Sequence, residues 1–290
     1  MHLSAASTLV PALANIRMGS ITPGSTILGH GNRQQGERIL HSENASAIRL
    51  LLGSFLSFDI IACASTRSDH LLQLDHKFLL ENTEINLESI TGCRNWVMVL
   101  IFEISLLDRW KKEAEKAQKL SIVELTKRGS QIEERLRKRL ADTENKPSIG
   151  SSTDNNSGIL LASPYNEVTK IFAFAAMTYL HVVISGAFPE LPEIIESVSK
   201  TIDAFHRLTD KKLLRSLVWP FCISGCLSLD GQHAIFRELV SAAEITQSTT
   251  GTCLEALKIM EACWDTRKIS PCNCDWASVM NKWGYYVLLL

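Results

Sequence analysis

The cysteines are the residues of this sequence with the clearest potential for metal chemistry. Of the eight, Cys222 and Cys226 lie one helical turn apart, and Cys272 and Cys274 are separated by one residue. A tetrahedral zinc site takes four ligands, usually two such pairs at fixed spacing. Cys222 and Cys226 could share a metal with a histidine such as His233, but no second pair completes the set. We therefore predict small buried thiols and no metal ligand. The Cys272–Cys274 pair could be redox-active, but a mobile pair beside a proline is the preferred interpretation.

Three titratable residues on apolar or amphipathic segments are candidates for a catalytic acid or base: Glu103, His181 and His206. Glu103 lies alone in an apolar helical stretch, and the sequence favours a salt bridge from it to Lys111 or Arg109. His181 and His206 fall on apolar or amphipathic helices, where core or rim positions are typical. No nucleophile elbow, His-Glu-x-x-His or paired-aspartate motif occurs. The sequence predicts no catalytic, cofactor-binding or metal-binding residue, and we interpret the chain as not an enzyme.

Phosphate and nucleic-acid binding are equally weakly supported. The glycine-rich stretch 24–31 lacks the lysine that a phosphate loop needs. A short basic cluster comprises Arg135, Arg137, Lys138 and Arg139. It could serve nuclear import or nucleic-acid binding, but Glu133 and Glu134 dilute it, which favours a solvated helix face in ion pairs. The net charge of −1 provides no basic field for a phosphate backbone.

The elements that carry these residues have helical periodicity throughout. Helical patterns occur in residues 44–66, 69–80, 96–110, 164–188, 194–208, 213–226, 232–246, 252–264 and 275–286, and residues 111–140 are charged and helix-favouring. There is no sustained strand alternation and no repeat. The sequence therefore predicts an all-α fold, an irregular antiparallel multi-helix array with one disordered internal linker.

The segment from Leu213 to Cys226 is the one around which we expect the others to pack. Its apolar residues form one continuous stripe, and Asp230-Gly231 follows as a turn. Pro220 lies in the middle of this segment, where it lacks an N–H and crowds the carbonyl of Ser216. The pattern predicts a kinked, buried central helix.

Composition changes predict the domain organisation. Residues 1–43 are glycine-rich and aperiodic, which is typical of a flexible leader, and residues 44–290 form one domain. A Ser-, Asn- and Gly-rich stretch at 142–162 predicts a mobile linker inside that domain. The apolar run from Ile171 to Phe188 approaches the length of a membrane span, but its polar residues favour a buried helix, and we expect no membrane partner.

Four separated motifs resemble a known family. Leu217-Val218-Trp219-Pro220-Phe221 is followed by Ile223-Ser224-Gly225-Cys226, then by Arg237 and by Glu261-Ala262-Cys263-Trp264. Phe58–Thr66, Gly92–Met98 and the stretch from Glu103 to Glu113 supply the earlier motifs. Together they resemble the fungal-specific transcription factor domain, the regulatory region of fungal binuclear zinc-cluster transcription factors, from about Asn44 to the end. Trp219, Pro220, Gly225, Cys226 and Trp264 are its structural signature here.

The resemblance implies a nuclear regulator of RNA polymerase II genes, often of metabolism or secondary metabolism. Its partners would be the transcription machinery or related regulators, including a second copy as a homodimer. DNA would be contacted only through a six-cysteine zinc module, which no cysteine spacing here fits. A small-molecule effector could occupy an interior cavity beside the kinked helix. Alternatives are a stand-alone interaction module that dimerises with related regulators without touching DNA, and, less favoured, an all-α small-molecule enzyme.

Overall fold

The computed structural model describes residues 31–145, 164–246, 252–269 and 273–290. These residues form helices and connecting segments without a strand, which confirms the predicted all-α fold. The α-helices are α1 Gly31–Thr66, α2 His76–Asn82, α3 Glu88–Thr91, α4 Asn95–Lys116, α5 Ile122–Asn145, α6 Pro164–Ser185, α7 Pro192–Arg207, α8 Val218–Cys226, α9 His233–Ala242, α10 Cys253–Ile269 and α11 Trp276–Trp283. Two 3₁₀ turns, Lys211–Ser216 and Asp230–Gln232, flank α8.

Helix α6 is the centre of the array. It packs against α4, α5, α7 and α8, and residues such as Ile171, Tyr179 and Val183 are completely buried. Both α6 and the segment of α1 from Asn44 are long and apolar enough to cross a membrane by length and composition. The apolar window of α6 is mostly buried inside the protein, whereas less than half of that of α1 is buried. Helix α6 is therefore a core helix, and α1 presents an apolar face that the core does not cover.

Helix α8 is shorter than predicted and contains no mid-helix proline. Residues 211–216 form the 3₁₀ turn, and Leu217 (φ −117°, ψ 24°) separates that turn from α8. Pro220 is thus the third residue of α8, within the first turn, where backbone N–H groups have no partner inside the helix. The predicted kink is wrong because the chain breaks the helix before the proline. All nine residues of α8 are nevertheless buried, as the apolar stripe indicated.

Aromatic rings join α6, α8 and α11 in the core. The ring of Trp219 stacks on Phe172 at a centroid distance of 6.0 Å and meets Tyr179 edge-on at 6.2 Å. Tyr179 in turn meets Trp276 edge-on at 5.8 Å. The indole N–H of Trp276 donates to the carbonyl oxygen of Ala64 at 3.2 Å, which connects this cluster to α1.

A buried ionic network holds the end of α1 against α4 and α11. The Arg67 guanidinium donates to Asp108 with an Nε to Oδ2 distance of 3.0 Å and to Asp275 with an Nη1 to Oδ2 distance of 2.5 Å. Lys112 Nζ lies 2.9 Å from Asp108 Oδ2. Burial alone would raise the pKa of the Asp108 carboxyl, but the hydrogen bonds and charge of Arg67 hold it below its ordinary value.

Two predicted boundaries differ from the structure. Helix α1 begins at Gly31, inside the segment predicted as a leader; residues 1–30 lie outside the described part of the chain. Helix α5 continues to Asn145, so residues 142–145 of the predicted linker are helical. An existing helix propagates at little cost through residues such as Ala141, even where the composition becomes polar. Most of the predicted linker, from residue 146 onward, lies outside the described residues.

Candidate effector pocket and its polar floor

A largely apolar pocket of about 260 Å³ lies between α1, the loop that follows it and the last residues of the chain. Its apolar wall consists of Phe55, Phe58, Leu71, Leu72, Tyr286 and Leu288, among others. Four of these are well exposed: Phe58 is 43% exposed, Leu71 53%, Tyr286 57% and Leu288 42%. Such a concentration of exposed large apolar side chains on one surface is uncommon unless something binds there.

The sequence of α1 explains one wall of the pocket. Leu56, Ile60 and Ala64 repeat every four residues and are completely buried in the core. Phe55 and Phe58 lie on an adjacent face of the same helix and line the pocket. Because apolar residues occupy both faces, α1 buries one stripe in the core and leaves the second for another contact.

The opposite wall is an extended C-terminal segment anchored by alternate residues. Val287 and Leu289 are buried, whereas Tyr286 and Leu288 point outward and are exposed. This alternation is the period-two pattern of an extended chain. The carbonyl of Leu290 accepts a 3.1 Å hydrogen bond from the Thr252 hydroxyl, which fixes the end of the segment to the start of α10. The wall is thus held in place by contacts on its inner side.

The buried carboxylate of Asp59 forms the polar floor of the pocket, and two histidines lie behind it. Asp59 Oδ2 lies 2.8 Å from Nε2 of His76 and 3.2 Å from Nδ1 of His70. Asp59 Oδ1 also accepts the Leu71 backbone N–H at 2.8 Å. Burial would raise the pKa of the Asp59 carboxyl, but these hydrogen bonds hold it well below its ordinary range. The carboxylate is therefore ionised, and both of its oxygens have hydrogen-bond partners in the protein.

Sequence reasoning missed this cluster. The three groups belong to α1, to the loop that follows it and to the first residue of α2, and no spacing rule joins them. The only local signal was Asp59 itself, an acid within an otherwise apolar helix. Both imidazole rings lie against Phe102 of α4, with centroid distances of 4.6 Å for His70 and 4.7 Å for His76. Their positions are set by tertiary packing that one sequence does not display.

Three of the cysteines singled out above, Cys222, Cys226 and Cys274, lie in the core together with Cys263. Cys226 contacts both Cys222 and Cys263, and Cys263 contacts Cys274, so four thiols form a row between α8, α10 and the start of α11. Burial raises the pKa of the Cys226 and Cys263 thiols well above the ordinary value. These are neutral, apolar-like side chains, and Cys222 and Cys226 are buried as predicted. Cys274 was predicted to belong to a mobile pair, but it is buried against Cys263. Cys272 lies outside the described residues.

The histidine considered as a partner of those cysteines has a different role. His233 stacks on Trp264 with ring centroids 3.8 Å apart, and its Nε2 faces the carbonyl oxygen of Ser228 at 3.4 Å. Burial lowers the pKa of His233, so the neutral ring is favoured in the folded protein. Its contacts are those of a packing residue.

Glu103 forms salt bridges, but with other partners than those predicted. Its carboxylate contacts Lys77 of α2 at 2.8 Å and Arg135 of α5. Lys111 instead donates to the carbonyl of Val183. The predicted pairing was wrong because it considered only neighbours along one helix, whereas α4 packs between α2 and α5.

The other polar residues singled out also have structural surroundings. Arg137 of the basic cluster pairs with Glu133 at 2.7 Å, one turn away, as the spacing predicted. His181 Nε2 lies 3.5 Å from the same carboxylate. His206 is exposed at the end of α7. None of these residues lies in the wall of the apolar pocket.

The family comparison adds the decisive observation. The family model described as the fungal specific transcription factor domain matches residues 1–290, the whole chain. The chain belongs to this family. Membership in the fungal specific transcription factor domain family makes it a transcription regulator, in agreement with the four motifs. No solved structure matches the chain.

Relatives of the chain are named as transcription regulators or transcription factors. The trichothecene biosynthesis transcription regulator TRI10 of Trichoderma arundinaceum is 31% identical over all of this chain and 68% of its own length. TRI10 of Fusarium sporotrichioides is 30% identical over 67% of its length. The ustiloxin B cluster transcription factor ustR of Aspergillus flavus is 33% identical over 80% of this chain and 41% of its own length. The chain thus spans about two thirds of the TRI10 proteins and less than half of ustR.

Proposed function

We propose that this chain is the regulatory body of a pathway-specific fungal transcription regulator that acts in the nucleus on RNA polymerase II genes of secondary metabolism. We further propose that an apolar small-molecule effector binds between α1 and the C-terminal segment. The pocket is the single observation that carries the second part. Its walls are apolar, its floor carries one engaged carboxylate, and four of its large side chains are exposed.

The similarity to regulators of named biosynthetic pathways supports the first part. Two relatives carry trichothecene biosynthesis in their names and another the ustiloxin B cluster. The proposed partners are the transcription machinery or related regulators. With a net charge of −1, the chain has no overall basic field for phosphate binding. We assign DNA contact to a separate zinc-cluster module, because the cysteine spacings of this chain do not match such a module.

The geometry suggests how binding would be transmitted. An apolar ligand would contact Phe58 on α1 and Leu288 on the C-terminal segment at once, and so join the first described helix to the end of the chain. The inner side of that segment packs in the core through Val287 and Leu289. A ligand that binds one arrangement of the segment more tightly shifts the population toward it. The neighbouring surface would then differ between the free and bound states.

The site differs from the one that the sequence suggested. The sequence offered an interior cavity beside α8 as the effector site, but no residue of α8 lines the proposed pocket. Aromatic residues such as Trp219 and Phe221 fill the space around that helix. The proposed effector pocket lies instead at the surface of α1.

A second candidate function is a docking module for related regulators, without an effector. The observation that favours it is the exposure of two adjacent apolar residues at the start of α5, Ile122 at 64% and Val123 at 80%. Sedimentation of the purified chain separates the two candidates. A concentration-dependent dimer that Val123→Lys abolishes supports docking through α5, and a monomer at all concentrations removes it.

Filling the pocket tests the effector proposal. Ala62 is a half-buried residue of α1 in the pocket wall, and Ala62→Phe would occupy the space. Ala262 is a half-buried alanine on α10, so Ala262→Phe is the matched control. With 8-anilinonaphthalene-1-sulfonate as an apolar probe, we expect saturable binding to the wild type and to Ala262→Phe. Loss of that binding in Ala62→Phe alone supports the pocket, and equal binding by both variants contradicts it.

A further inference from the structure

Three side chains with metal-binding atoms converge beneath the pocket, and a fourth lies beside them. The nitrogen and oxygen ligand atoms of Asp59, His70 and His76 all lie within 4.8 Å of one another. Cys63 lies one helical turn after Asp59, with its Sγ 4.0 Å from Asp59 Oδ1. The group therefore contains two imidazoles and a carboxylate, contributed by α1, by the loop that follows it and by the first residue of α2. The Cys63 thiol lies at its edge and donates to the carbonyl oxygen of Asp69 at 3.3 Å.

The cluster is shielded from water. The exposed fractions of the side chains are 3% for Asp59, 9% for His70 and 1% for His76, and Cys63 is buried as well. Burying so many polar groups without compensation is unfavourable, and an ionised carboxylate in particular requires a positive charge nearby. The nearest groups to Asp59 are the two histidines, so the compensating charge must lie on them or between them and the carboxylate.

The hydrogen bonds of His76 define where that charge lies. Its Nδ1 is 2.9 Å from the carbonyl oxygen of Leu74, which only accepts, so the network assigns a hydrogen to Nδ1. Its Nε2 faces the Asp59 carboxylate at 2.8 Å, again an acceptor. A neutral ring would direct its Nε2 lone pair at a carboxylate, and two electron-rich groups at that distance repel each other. The site is therefore built for a cation at this position, either a second ring proton or a metal ion.

Two further details favour a metal ion over a proton alone. A ring Nδ1–H bound to a backbone carbonyl is the arrangement that orients metal-ligating histidines. In addition, His70 Nδ1 and His76 Nε2 both face the same oxygen, Asp59 Oδ2, at 3.2 and 2.8 Å. Two ring nitrogens and a carboxylate oxygen that converge on one point are the donor set of a transition-metal site.

We propose that Asp59, His70 and His76 bind one divalent transition-metal ion of the zinc class, and that the Cys63 thiol turns from the Asp69 carbonyl to supply the fourth donor. Two imidazoles, a carboxylate and a thiolate are the donors that zinc prefers, at the usual number of four. Binding would displace the Nε2 proton of His76 and the thiol proton of Cys63, so up to two protons would be released. This inference does not depend on the proposed function.

The ion would also have a structural consequence. Asp59 and Cys63 lie on α1, whereas His70 and His76 lie on either side of Leu71 and Leu72, which form part of the pocket wall. A metal ion would therefore fasten that loop to α1. It would fix one wall of the pocket in the same way that the core fixes the other.

Cobalt and zinc titration of the purified, chelator-treated chain tests the site. We expect about one equivalent of Co²⁺ to bind, with a thiolate-to-cobalt absorption band that Zn²⁺ abolishes by competition. Cys63→Ser should remove the band, and His70→Asn should weaken binding at least about 100-fold. Cys253→Ser and His233→Asn are the matched controls, a buried cysteine and a buried histidine elsewhere, and should bind like the wild type.

Each alternative outcome is decisive. No saturable binding of either metal by the wild type overturns the proposal. A band that persists in both Cys63→Ser and His70→Asn overturns it as well, because the metal then binds elsewhere. His70 is on a loop, so its variant is expected to fold, and circular dichroism of that variant verifies that lost binding is not lost structure.

Discussion

The indole N–H of Trp264 donates a 2.8 Å hydrogen bond to the carbonyl oxygen of Gly225, near the end of α8. The same carbonyl accepts from the backbone N–H of Ser228 at 3.2 Å and from its hydroxyl at 2.7 Å. The last carbonyl groups of a helix have no hydrogen-bond partner within the helix. Here one of them, that of Gly225, accepts three hydrogen bonds from outside the helix. Gly225 and Trp264, two residues of the family signature separated by 38 others, thus join the end of α8 to α10.

Gly225→Ala tests the closeness of this packing. A β-carbon at position 225 would lie 1.9 Å from Met260 Sδ and 3.1 Å from Phe236 Cδ1. We expect the free energy of unfolding to fall by about 1–3 kcal/mol, measured by urea denaturation. Gly231→Ala is the control, because a β-carbon there meets nothing within 4 Å. Equal stability of the Gly225→Ala variant and the wild type would show that α8 and α10 are further apart.

Trp219 provides a test of the aromatic core. The ring is buried between Phe172 and Tyr179, so Trp219→Ala should lower the free energy of unfolding by about 3–5 kcal/mol. Its Nε1 is buried without a hydrogen-bond partner among the described residues. Trp219→Phe removes that unsatisfied donor and should cost less than half as much. Calorimetric melting of both variants measures the difference, and a near-wild-type melt for Trp219→Ala would place the ring outside the core.

Asp108→Asn tests the buried ionic network. It leaves Arg67 with one carboxylate instead of two, and we expect a loss of about 3 kcal/mol at pH 7. Because the pKa of Asp108 is lowered by folding, the ionised group stabilises the protein above its unfolded pKa of about 3.9. That contribution disappears as the pH falls through the folded-state pKa. The difference between variant and wild type should therefore persist at pH 5 and close only below about pH 4, in denaturation measured across that range.

The buried thiols predict a loss of stability in alkali. Burial raises the pKa of Cys253 to about 12, so the thiol is neutral in the folded protein at pH values where the unfolded chain ionises it. Stability from this group is complete below the unfolded pKa of about 8.5 and falls as the pH rises toward 12. The slope is up to about 1.4 kcal/mol per pH unit for one thiol. Urea denaturation between pH 8 and 10 should show a shallower decline for Cys253→Ala, and an identical slope would contradict the neutral thiol.

Some of these features could be read from single segments of sequence, and others could not. The periodicity of α6 and α8 predicted buried helices, because each helix carries its own apolar face. The break before Pro220 depends on Leu217, whose conformation is set by packing and has no sequence signal. A proline does disrupt the interior of a helix, but α8 starts at Val218, later than the apolar stripe that begins at Leu213, so Pro220 lies in its first turn.

The pocket and its floor depend on contacts that are distant in sequence. Phe58 and Leu288 line the same pocket although more than two hundred residues separate them, and the sequence alone does not indicate that they lie on one surface. His76 was placed on an amphipathic segment, which is correct, but nothing local directs its ring toward Asp59. Sequence patterns determine which face of a helix is apolar. Tertiary packing determines which apolar face remains available for a ligand.

A reporter assay tests the central claim most directly. The chain, joined to a heterologous DNA-binding module in a fungal host, is compared with Ala62→Phe and Ala262→Phe while cells receive an organic extract of apolar fungal metabolites. We predict that the extract changes reporter transcription for the wild type and Ala262→Phe, and that Ala62→Phe does not respond at equal protein level. A reporter that stays at the level of the DNA-binding module alone, or an equal response from all three proteins, would contradict regulation through this pocket.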